Sequence, residues 1–374
     1  MTNLVIKLTF VLLVFGNGQV GNAQHPDAKK IINEFAAVVE RQVNEKGDGC
    51  VMIAVFKGNE IVWSKGYGMA DVEKKIPATA NTIGRTGSIS KSFTAVAICQ
   101  LVERGVLQLD DPIAKHFPEI KNLNRVPKEA KPITYRMLAS HTSGLVREPS
   151  NMPAAASGPI KLWEQKILKA IPKTSFKSEP LTEYSYSNIG FGILGLAGSR
   201  AAEEPFMALV EKQIFEPLEM KSSFFVVDKT ELKRLAVGYL RDRRTGKLDS
   251  TVPTREHQGR GYKVPNGGIY STVEDLAKFA AAMLGESRAP ILNEKSLKQV
   301  FSPQPPAERY GLGFNIISRT DKHLIAGHGG SVAGYRADLR FDLKSKWGVA
   351  TLRTSSHNPP TRQLLLDLLS EQSR

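Results

Sequence analysis

One short motif of the chain pairs a hydroxyl with an amine at the spacing of one helical turn. Ser88 and Lys91 form the single Ser-x-x-Lys of the 374-residue sequence, and residues i and i+3 of a helix share a face. A serine hydroxyl is a poor nucleophile until a neighbouring group takes its proton. A lysine can take that proton if burial and positive neighbours lower its pKa. The spacing therefore favours a Ser88 nucleophile with Lys91 as its base; the alternative is a helix-capping serine followed by a surface lysine.

A second polar set, Tyr186-Ser187-Asn188, comes directly before a helix-type run that contains Phe191 and Leu194. A phenol can relay a proton between nucleophile and leaving group, and an amide can hold a substrate carbonyl and orient a lysine. The alternative is structural, with Asn188 or Ser187 capping the helix and Tyr186 packed against it. Tyr186 and Asn188 are therefore candidates for catalysis and substrate binding.

A glycine-rich segment, Gly327-His328-Gly329-Gly330-Ser331, ends a strand-type run in the last part of the sequence. Glycines allow a substrate to lie against a strand edge, and the backbone N–H that follows them could complete an oxyanion hole. The alternative is a glycine-rich β-turn with an incidental histidine. The segment is thus a third candidate for substrate contact.

The hydrophobic periodicity indicates which elements position these residues. It predicts helices over 28–44, 88–105 and 273–284, and strands over 50–57, 60–67, 310–318, 323–328, 334–343 and 347–353. The middle of the chain, about 107–264, has helical pieces joined by Pro- and Gly-containing loops and few strand signals. We therefore expect one sheet built from both ends of the chain, an inserted helical lobe, and an active-site cleft between the two.

Taken in order, the three motifs resemble those of the serine β-lactamase and penicillin-binding DD-peptidase superfamily, particularly its class C-like branch with related esterases. The similarity runs from about Phe35 to Thr354 and includes the stretches 85–93, 133–145 and 266–272. The resemblance implies an α+β, β-lactamase/transpeptidase-like fold, with a five-stranded antiparallel sheet flanked by helices and an inserted helical lobe. It also implies a covalent acyl-enzyme cycle.

The domain organisation follows from the same reading. A single domain is expected over 24–374. Its sheet lobe would take about 27–106 and 265–374, and its helical lobe about 107–264.

The resemblance implies a role for each residue of the three motifs. Ser88 would be the acylated nucleophile, Lys91 its base and Tyr186 the proton relay. The substrate-binding residues that it implies are Asn188, His328, Gly329, Gly330 and Ser331, with the N–H groups of Ser88 and Ser331 as the oxyanion hole. His328 stands where many members have a lysine, and an uncharged histidine would hold an anionic substrate group less firmly.

Three functions are compatible with this sequence. The first is a β-lactamase or DD-carboxypeptidase-like serine hydrolase, cleaving an amide or ester bond of a small molecule or peptide, with cell-wall material as one source. The second is a carboxylesterase of the same fold. The third is a low-turnover, envelope-binding pseudoenzyme, and the intact set of Ser88, Lys91 and Tyr186 argues against it.

The first 23 residues have the features of a cleavable signal peptide. Lys7 precedes an apolar run over 8–15, and small residues at 21–23 offer a cleavage site, so we expect a secreted or periplasmic protein. The net charge is +14, which favours anionic surfaces such as a cell envelope. The basic stretch 241–247 lacks stacking aromatics and is expected to be a solvated hairpin tip, so nucleic acid is not an expected partner. No stable membrane span is expected.

No metal or cofactor is expected. The set Gly190-x-Gly192-x-x-Gly195 matches a dinucleotide fingerprint but does not follow an apolar strand. His323 and His328 are five residues apart on an expected strand, which places them on opposite faces and disfavours zinc. The two cysteines, Cys50 and Cys99, are expected to be buried free thiols, although a disulfide is the alternative. The sequence leaves the oligomeric state open.

Overall fold

The computed structural model describes residues 26–152, 157–242 and 244–371. The expected signal peptide, residues 1–23, lies outside these residues and stays a prediction. Within the described ranges the strands are β1 (Cys50–Lys57), β2 (Glu60–Asp71), β3 (Ile76–Pro77), β4 (Gly84–Arg85), β5 (Leu240–Arg241), β6 (Leu248–Asp249), β7 (Tyr270–Ser271), β8 (Asn315–Arg319), β9 (Leu324–Val332), β10 (Tyr335–Asp342) and β11 (Trp347–Arg353).

The helices cover the ends and the middle of the chain. In the same ranges they are α1 (Pro26–Lys46), α2 (Ser90–Glu103), α3 (Tyr135–Ala139), α4 (Trp163–Ala170), α5 (Asn188–Ala202), α6 (Phe206–Val210), α7 (Thr251–Arg255), α8 (Val264–Gly267), α9 (Val273–Met283), α10 (Glu294–Val300) and α11 (Thr361–Glu371). No helix among the described residues has the length and apolar character needed to cross a bilayer.

The main sheet is antiparallel and joins the two ends of the chain, as expected. Its strand order is β3-β2-β1-β11-β10-β9-β8, so β1 from the start of the chain pairs with β11 near its end. The expected α+β fold is confirmed, but the sheet has seven strands in the described residues where five were expected. The two-residue β3 extends one edge, and β8 extends the other by pairing with the first part of β9.

Both faces of the sheet are covered because β1 is apolar on both sides. Val51, Ile53 and Val55 belong to the cluster formed with α1 and α11, whereas Met52 and Phe56 belong to the larger cluster that includes α2 and α9. Successive side chains of a strand point to opposite faces, so one unbroken apolar run supplies two cores. The larger cluster continues through α2 into the helices of the middle segment. The proposed division into two lobes stays a prediction.

The helix that carries the Ser-x-x-Lys motif lies almost wholly inside the protein. It opens with a 3₁₀ turn over Gly87–Ile89 and continues as α2, in which the residues from Ser90 to Leu101 are buried. It ends close to the expected point, because Gly105 has φ +71° and its N–H donates to Val102 O at 3.0 Å. Packing on all sides therefore fixes the position of its first turn.

The expected strand over 310–318 is corrected to β8, which begins at Asn315. Gly313 has φ +74°, a left-handed conformation that cannot continue a strand, and its N–H donates to Ala139 O at 2.9 Å. An added Cβ at Gly313 would lie 2.5 Å from the Ala95 Cβ. The segment before Asn315 is thus a loop packed onto α2.

Two smaller expectations are confirmed. Cys50 and Cys99 are buried free thiols, and burial raises the pKa of the first to about 11 and of the second to about 12. The basic stretch forms the tip of the β5–β6 hairpin; Arg243 within it lies outside the described residues.

Candidate active site

A glycine allows the turn that carries Ser88 to pack against the glycine-rich segment of β9. Gly87 has φ +52°, and an added Cβ there would lie 2.7 Å from the Ser331 N atom. β9 pairs with β8 only as far as Gly327, so the rest of that edge of β9 faces the Ser88 turn. A residue without a side chain is required for this close approach.

Gly87→Ala is expected to lower both stability and activity. A left-handed alanine costs about 1–2 kcal/mol, and the added methyl must push Ser331 away from Ser88. Gly105→Ala is the matched control, because Gly105 also has a positive φ but its Cβ would meet nothing within 4 Å. Urea unfolding should show a similar loss of stability from backbone strain in both variants. The value of kcat/KM should fall by at least about tenfold in Gly87→Ala alone. Equal activities would contradict the close packing of β9 on Gly87.

Lys91 is completely buried, and its amine lies among three oxygen atoms. Nζ is 3.1 Å from Ser88 Oγ, 2.8 Å from Asn188 Oδ1 and 3.2 Å from the backbone oxygen of Asn266. Burial, followed by the positive charge of Arg147, holds the pKa of Lys91 well below its ordinary value. The amine is therefore neutral over a wider pH range than that of an exposed lysine.

A neutral amine fits this arrangement. It has two N–H groups and one lone pair, and two of its three neighbours, Asn188 Oδ1 and Asn266 O, can only accept hydrogen bonds. The two N–H groups satisfy these oxygens, which leaves the lone pair toward the Ser88 hydroxyl. The surroundings of Lys91 therefore orient it to accept the serine proton.

Tyr186 lies over the same amine. Lys91 Nζ is 4.8 Å from the centroid of its ring, and its hydroxyl forms a hydrogen bond with Ser88. Burial raises the pKa of Tyr186 to about 12, while the Ser88 bond acts in the opposite direction. The phenol is therefore protonated at neutral pH and can donate to Ser88 Oγ. The His141 ring packs against the Tyr186 ring, with 4.2 Å between the two centroids.

Asn188 is fixed between the lysine and a carboxylate that the sequence motifs did not reveal. Its Oδ1 accepts from Lys91, and its Nδ2 donates to Glu148 Oε1 at 2.7 Å. Glu148 also accepts from Lys263 Nζ at 2.9 Å and from the Tyr262 hydroxyl. Both ends of the Asn188 amide thus have protein partners, which orients Lys91.

His328 is buried, with both ring nitrogens bonded to protein. Nδ1 lies 2.7 Å from Gly329 O and Nε2 lies 3.0 Å from the Tyr310 hydroxyl. A carbonyl oxygen only accepts, so Nδ1 carries the proton and Nε2 accepts from Tyr310. Burial is the main cause that lowers the pKa of His328 to about 3, and the charge that Lys91 carries when protonated acts in the same direction. The histidine is therefore a neutral, buried neighbour of the site, 6.4 Å from Tyr186 between ring centroids.

The three sequence motifs converge in space, and the rejected motifs have structural explanations. Ser187 caps α5 by accepting from Gly190 N at 2.9 Å, while its neighbours Tyr186 and Asn188 face the site. Gly192 and Gly195 permit close packing, since a Cβ at either would meet Tyr262 O or the Pro265 ring. Other residues of the site were not assigned a role from the sequence; these are Arg147, Glu148, Asn266 and Tyr310. Of the four, Asn266 alone belongs to a stretch of family resemblance, 266–272, and no local pattern marks the other three.

A seven-stranded antiparallel sheet with a Ser-x-x-Lys at the start of a buried helix defines a serine-hydrolase fold of the β-lactamase type. The Beta-lactamase family model matches residues 35–373, so the chain belongs to this family. Beta-lactamase-like protein 2 of Dictyostelium discoideum is 28% identical over 337 residues, which is 88% of this chain and 60% of that protein. The chain thus spans about three fifths of the length of the curated relatives it matches.

Solved structures agree with this family. The octameric penicillin-binding protein homologue from Pyrococcus abyssi has a TM-score of 0.76 at 28% identity, covering 92% of this chain and 78% of that one. A class C beta-lactamase has a TM-score of 0.74 at 19% identity, covering 93% of this chain and 98% of that one. The second likeness concerns the fold alone.

Proposed function

We propose that the protein is a serine acyl-hydrolase that cleaves an amide or ester bond through an acyl group on Ser88. The observation that carries the proposal is the buried Lys91 amine, placed 3.1 Å from Ser88 Oγ with its other neighbours fixing its orientation. A structural lysine would gain nothing from such burial, because desolvation penalises its charged form.

The proposed reaction has two halves. In the first, Ser88 Oγ bonds to the substrate carbonyl carbon while its proton passes to Lys91 Nζ. The N–H groups of Ser88 and Ser331 would stabilise the oxyanion, a role supported by the packing of Ser331 on Gly87. Tyr186 would pass a proton to the leaving atom as the bond to it breaks, and the proton held by Lys91 would then pass to the Tyr186 oxygen, which leaves both groups neutral. In the second half, water adds to the acyl carbon and gives a proton to the neutral Lys91, and that proton passes to Ser88 Oγ as the bond between Ser88 and the acyl group breaks.

Tyr186→Phe is expected to reduce kcat by about 10²–10³-fold, because it removes the proton donor and leaves the ring packed on His141. KM should change little, since the phenol acts in the proton transfer. Tyr184→Phe is the matched control: this ring also lies near His141, at 5.8 Å, but is partly exposed. Steady-state kinetics in which the two variants behave alike would remove Tyr186 from the mechanism.

The substrate class is proposed as that of a β-lactamase or DD-carboxypeptidase-like enzyme, with a carboxylesterase as the second candidate. The esterase is favoured by His328, which is neutral and offers no cation for a substrate carboxylate. The peptidase-like function is favoured by the exposed Arg147, whose guanidinium lies 4.8 Å from the Tyr186 ring at the same site.

Kinetics with a penicillin, a peptide ending in D-Ala-D-Ala and a short-chain nitrophenyl ester would distinguish these functions. Rapid turnover of penicillin indicates a β-lactamase, and a persistent penicillin adduct with peptide cleavage indicates a DD-peptidase-like enzyme. Ester cleavage alone indicates an esterase. The absence of both turnover and adduct with all three substrates would contradict the proposed function. The low-turnover, envelope-binding pseudoenzyme would then be the remaining alternative.

A further inference from the structure

A cavity of about 350 Å³ lies on the other face of the sheet from Ser88. Its walls come from β10, β11 and the start of α11. In β10 the cavity-lining Arg336, Asp338 and Arg340 alternate with residues such as Leu339 that belong to the core beneath α2. Ala337 and Gly330 also line the cavity, and Gly330, one of the expected substrate-binding residues, abuts Thr86 on the opposite side. The arginine side chains of the cavity thus lie on the sheet face away from Ser88, and Gly330 marks the boundary between the two sites.

The charge of this cavity is strongly positive. Four arginines line it together with one carboxylate, that of Asp338; the arginines are Arg336, Arg340, Arg353 and Arg362. One of these arginines forms an ion pair with the carboxylate, since Arg340 Nε lies 2.7 Å from Asp338 Oδ2. Two others bond to neutral backbone oxygens: Arg353 donates to Ser355 O at 2.7 Å, and Arg336 to Tyr335 O at 3.2 Å. The lining therefore has three more positive than negative charges.

A buried hydroxyl in the same cavity has no partner. Thr351 Oγ1 makes no hydrogen bond among the described residues, although the side chain is only 4% exposed. Such an unsatisfied buried group costs free energy unless a ligand or water pairs with it. The N-terminus of the eleven-residue helix α11 opens onto the same space, and its dipole favours an anion there.

We propose that this cavity is a second binding site, specific for a phosphate group. Guanidinium groups bind phosphate oxygens bidentately, and a phosphate of about two negative charges fits the surplus of the lining. The Thr351 hydroxyl would donate to one oxygen, and the positive end of α11 would face another. The phosphate could be free or part of a phosphomonoester. The proposal does not depend on the function of Ser88.

Calorimetric titration of the full chain with inorganic phosphate tests the site, at constant ionic strength. Saturable binding with one site per chain is expected. Arg336→Gln should weaken it by about tenfold or more, because a charged hydrogen-bond donor is lost. Thr351→Val keeps the side-chain volume and should weaken it by about three- to tenfold. Arg244→Gln, on the exposed hairpin, makes the same change in net charge and should have no effect.

A second titration with glycerol phosphate identifies the source of the group: equal binding indicates a phosphomonoester, and binding of phosphate alone indicates the free ion. Two results would overturn the proposal. One is the absence of saturable phosphate binding up to about 10 mM. The other is equal weakening by Arg336→Gln, Thr351→Val and Arg244→Gln, which would indicate a general effect of the net charge. If Arg336→Gln lowers the melting temperature, its loss of binding could come from lost structure, and the phosphate affinity of Thr351→Val then decides whether the site exists.

Discussion

Ser88→Ala is expected to abolish hydrolysis, lowering kcat by at least about 10⁴-fold on any substrate that the protein turns over. The alanine has no atom that can carry the acyl group, and the Lys91 lone pair loses the hydroxyl that lies 3.1 Å from it. Folding should be affected by less than about 1 kcal/mol, since Ser88 is only partly buried. Steady-state hydrolysis and urea unfolding measure the two effects separately.

Ser92→Ala is the matched control for this loss. Ser92 lies one residue beyond Lys91 in the same helix, is fully buried, and donates to Gly313 O at 2.7 Å. Its removal should cost about 1 kcal/mol of stability, while kcat stays within a few-fold of the wild type. A Ser88→Ala protein that retains wild-type kcat, or a Ser92→Ala protein that loses it, would contradict the assignment of the nucleophile.

Lys91→Met is expected to lower kcat by about 10³-fold or more, because methionine preserves the length of the side chain but supplies no base. Its unfolding should show a second effect that does not depend on activity. The pKa of Lys91 in the folded protein is lowered, by burial first and then by Arg147, so the unfolded chain binds more protons between that lowered pKa and the ordinary lysine value. Stability therefore rises with pH for the wild type relative to Lys91→Met.

This pH dependence has a defined sign and window. It begins at the lowered pKa of the folded protein, ends near the ordinary lysine value of about 10.4, and has a slope of at most about 1.4 kcal/mol per pH unit. Ser88→Ala retains Lys91 and serves as the control, so it should follow the wild type. Urea unfolding at a series of pH values measures the difference. A difference between wild type and Lys91→Met that does not vary with pH would mean that the folded lysine stays charged.

The local geometry of the site could be predicted from the sequence because it depends on helical spacing. Ser88 and Lys91 are three residues apart, and the structure places their side chains in contact at the start of a helix. The role of Ser187 as a helix cap and the alternation of β1 also follow from short-range patterns. In each case the deciding contacts are made within a few residues of the chain.

The remainder of the site depends on contacts between distant segments. Glu148 orients Asn188 from 40 residues away, and Tyr310 holds the His328 ring from 18 residues away. Neither residue belongs to a motif, and their partners are fixed only when α5, β9 and the loops between them pack together. The start of β8 has the same origin: a strand was predicted from residue 310, but the loop at Gly313 packs against α2, and the strand begins only at Asn315.

His328 and Asn188 illustrate a second limit of sequence reasoning. Both were expected to contact substrate, and both have their polar side-chain atoms in hydrogen bonds with protein groups. For His328, whose ring nitrogens each make one bond, a direct contact with substrate would have to replace one of these bonds. Asn188 keeps a second N–H on Nδ2 and a second lone pair on Oδ1, so it can contact substrate without losing its protein partners. Their hydrogen bonds also give them a structural role. Asn188 fixes the position of Lys91, and His328 is itself held in a fixed orientation beside the site.

The most direct test of the account is to locate the acyl group by mass spectrometry after brief reaction with a penicillin or a nitrophenyl ester. Trypsin should release the peptide 86–91, which contains both Ser88 and Ser90. Fragmentation is expected to place the added mass on Ser88, with no adduct in the Ser88→Ala variant. Since Ser90 is buried and its Oγ is bonded to Thr86 and Ile269, an adduct on Ser90 is not expected. Turnover without any adduct on Ser88, or an adduct on another residue, would contradict the mechanism.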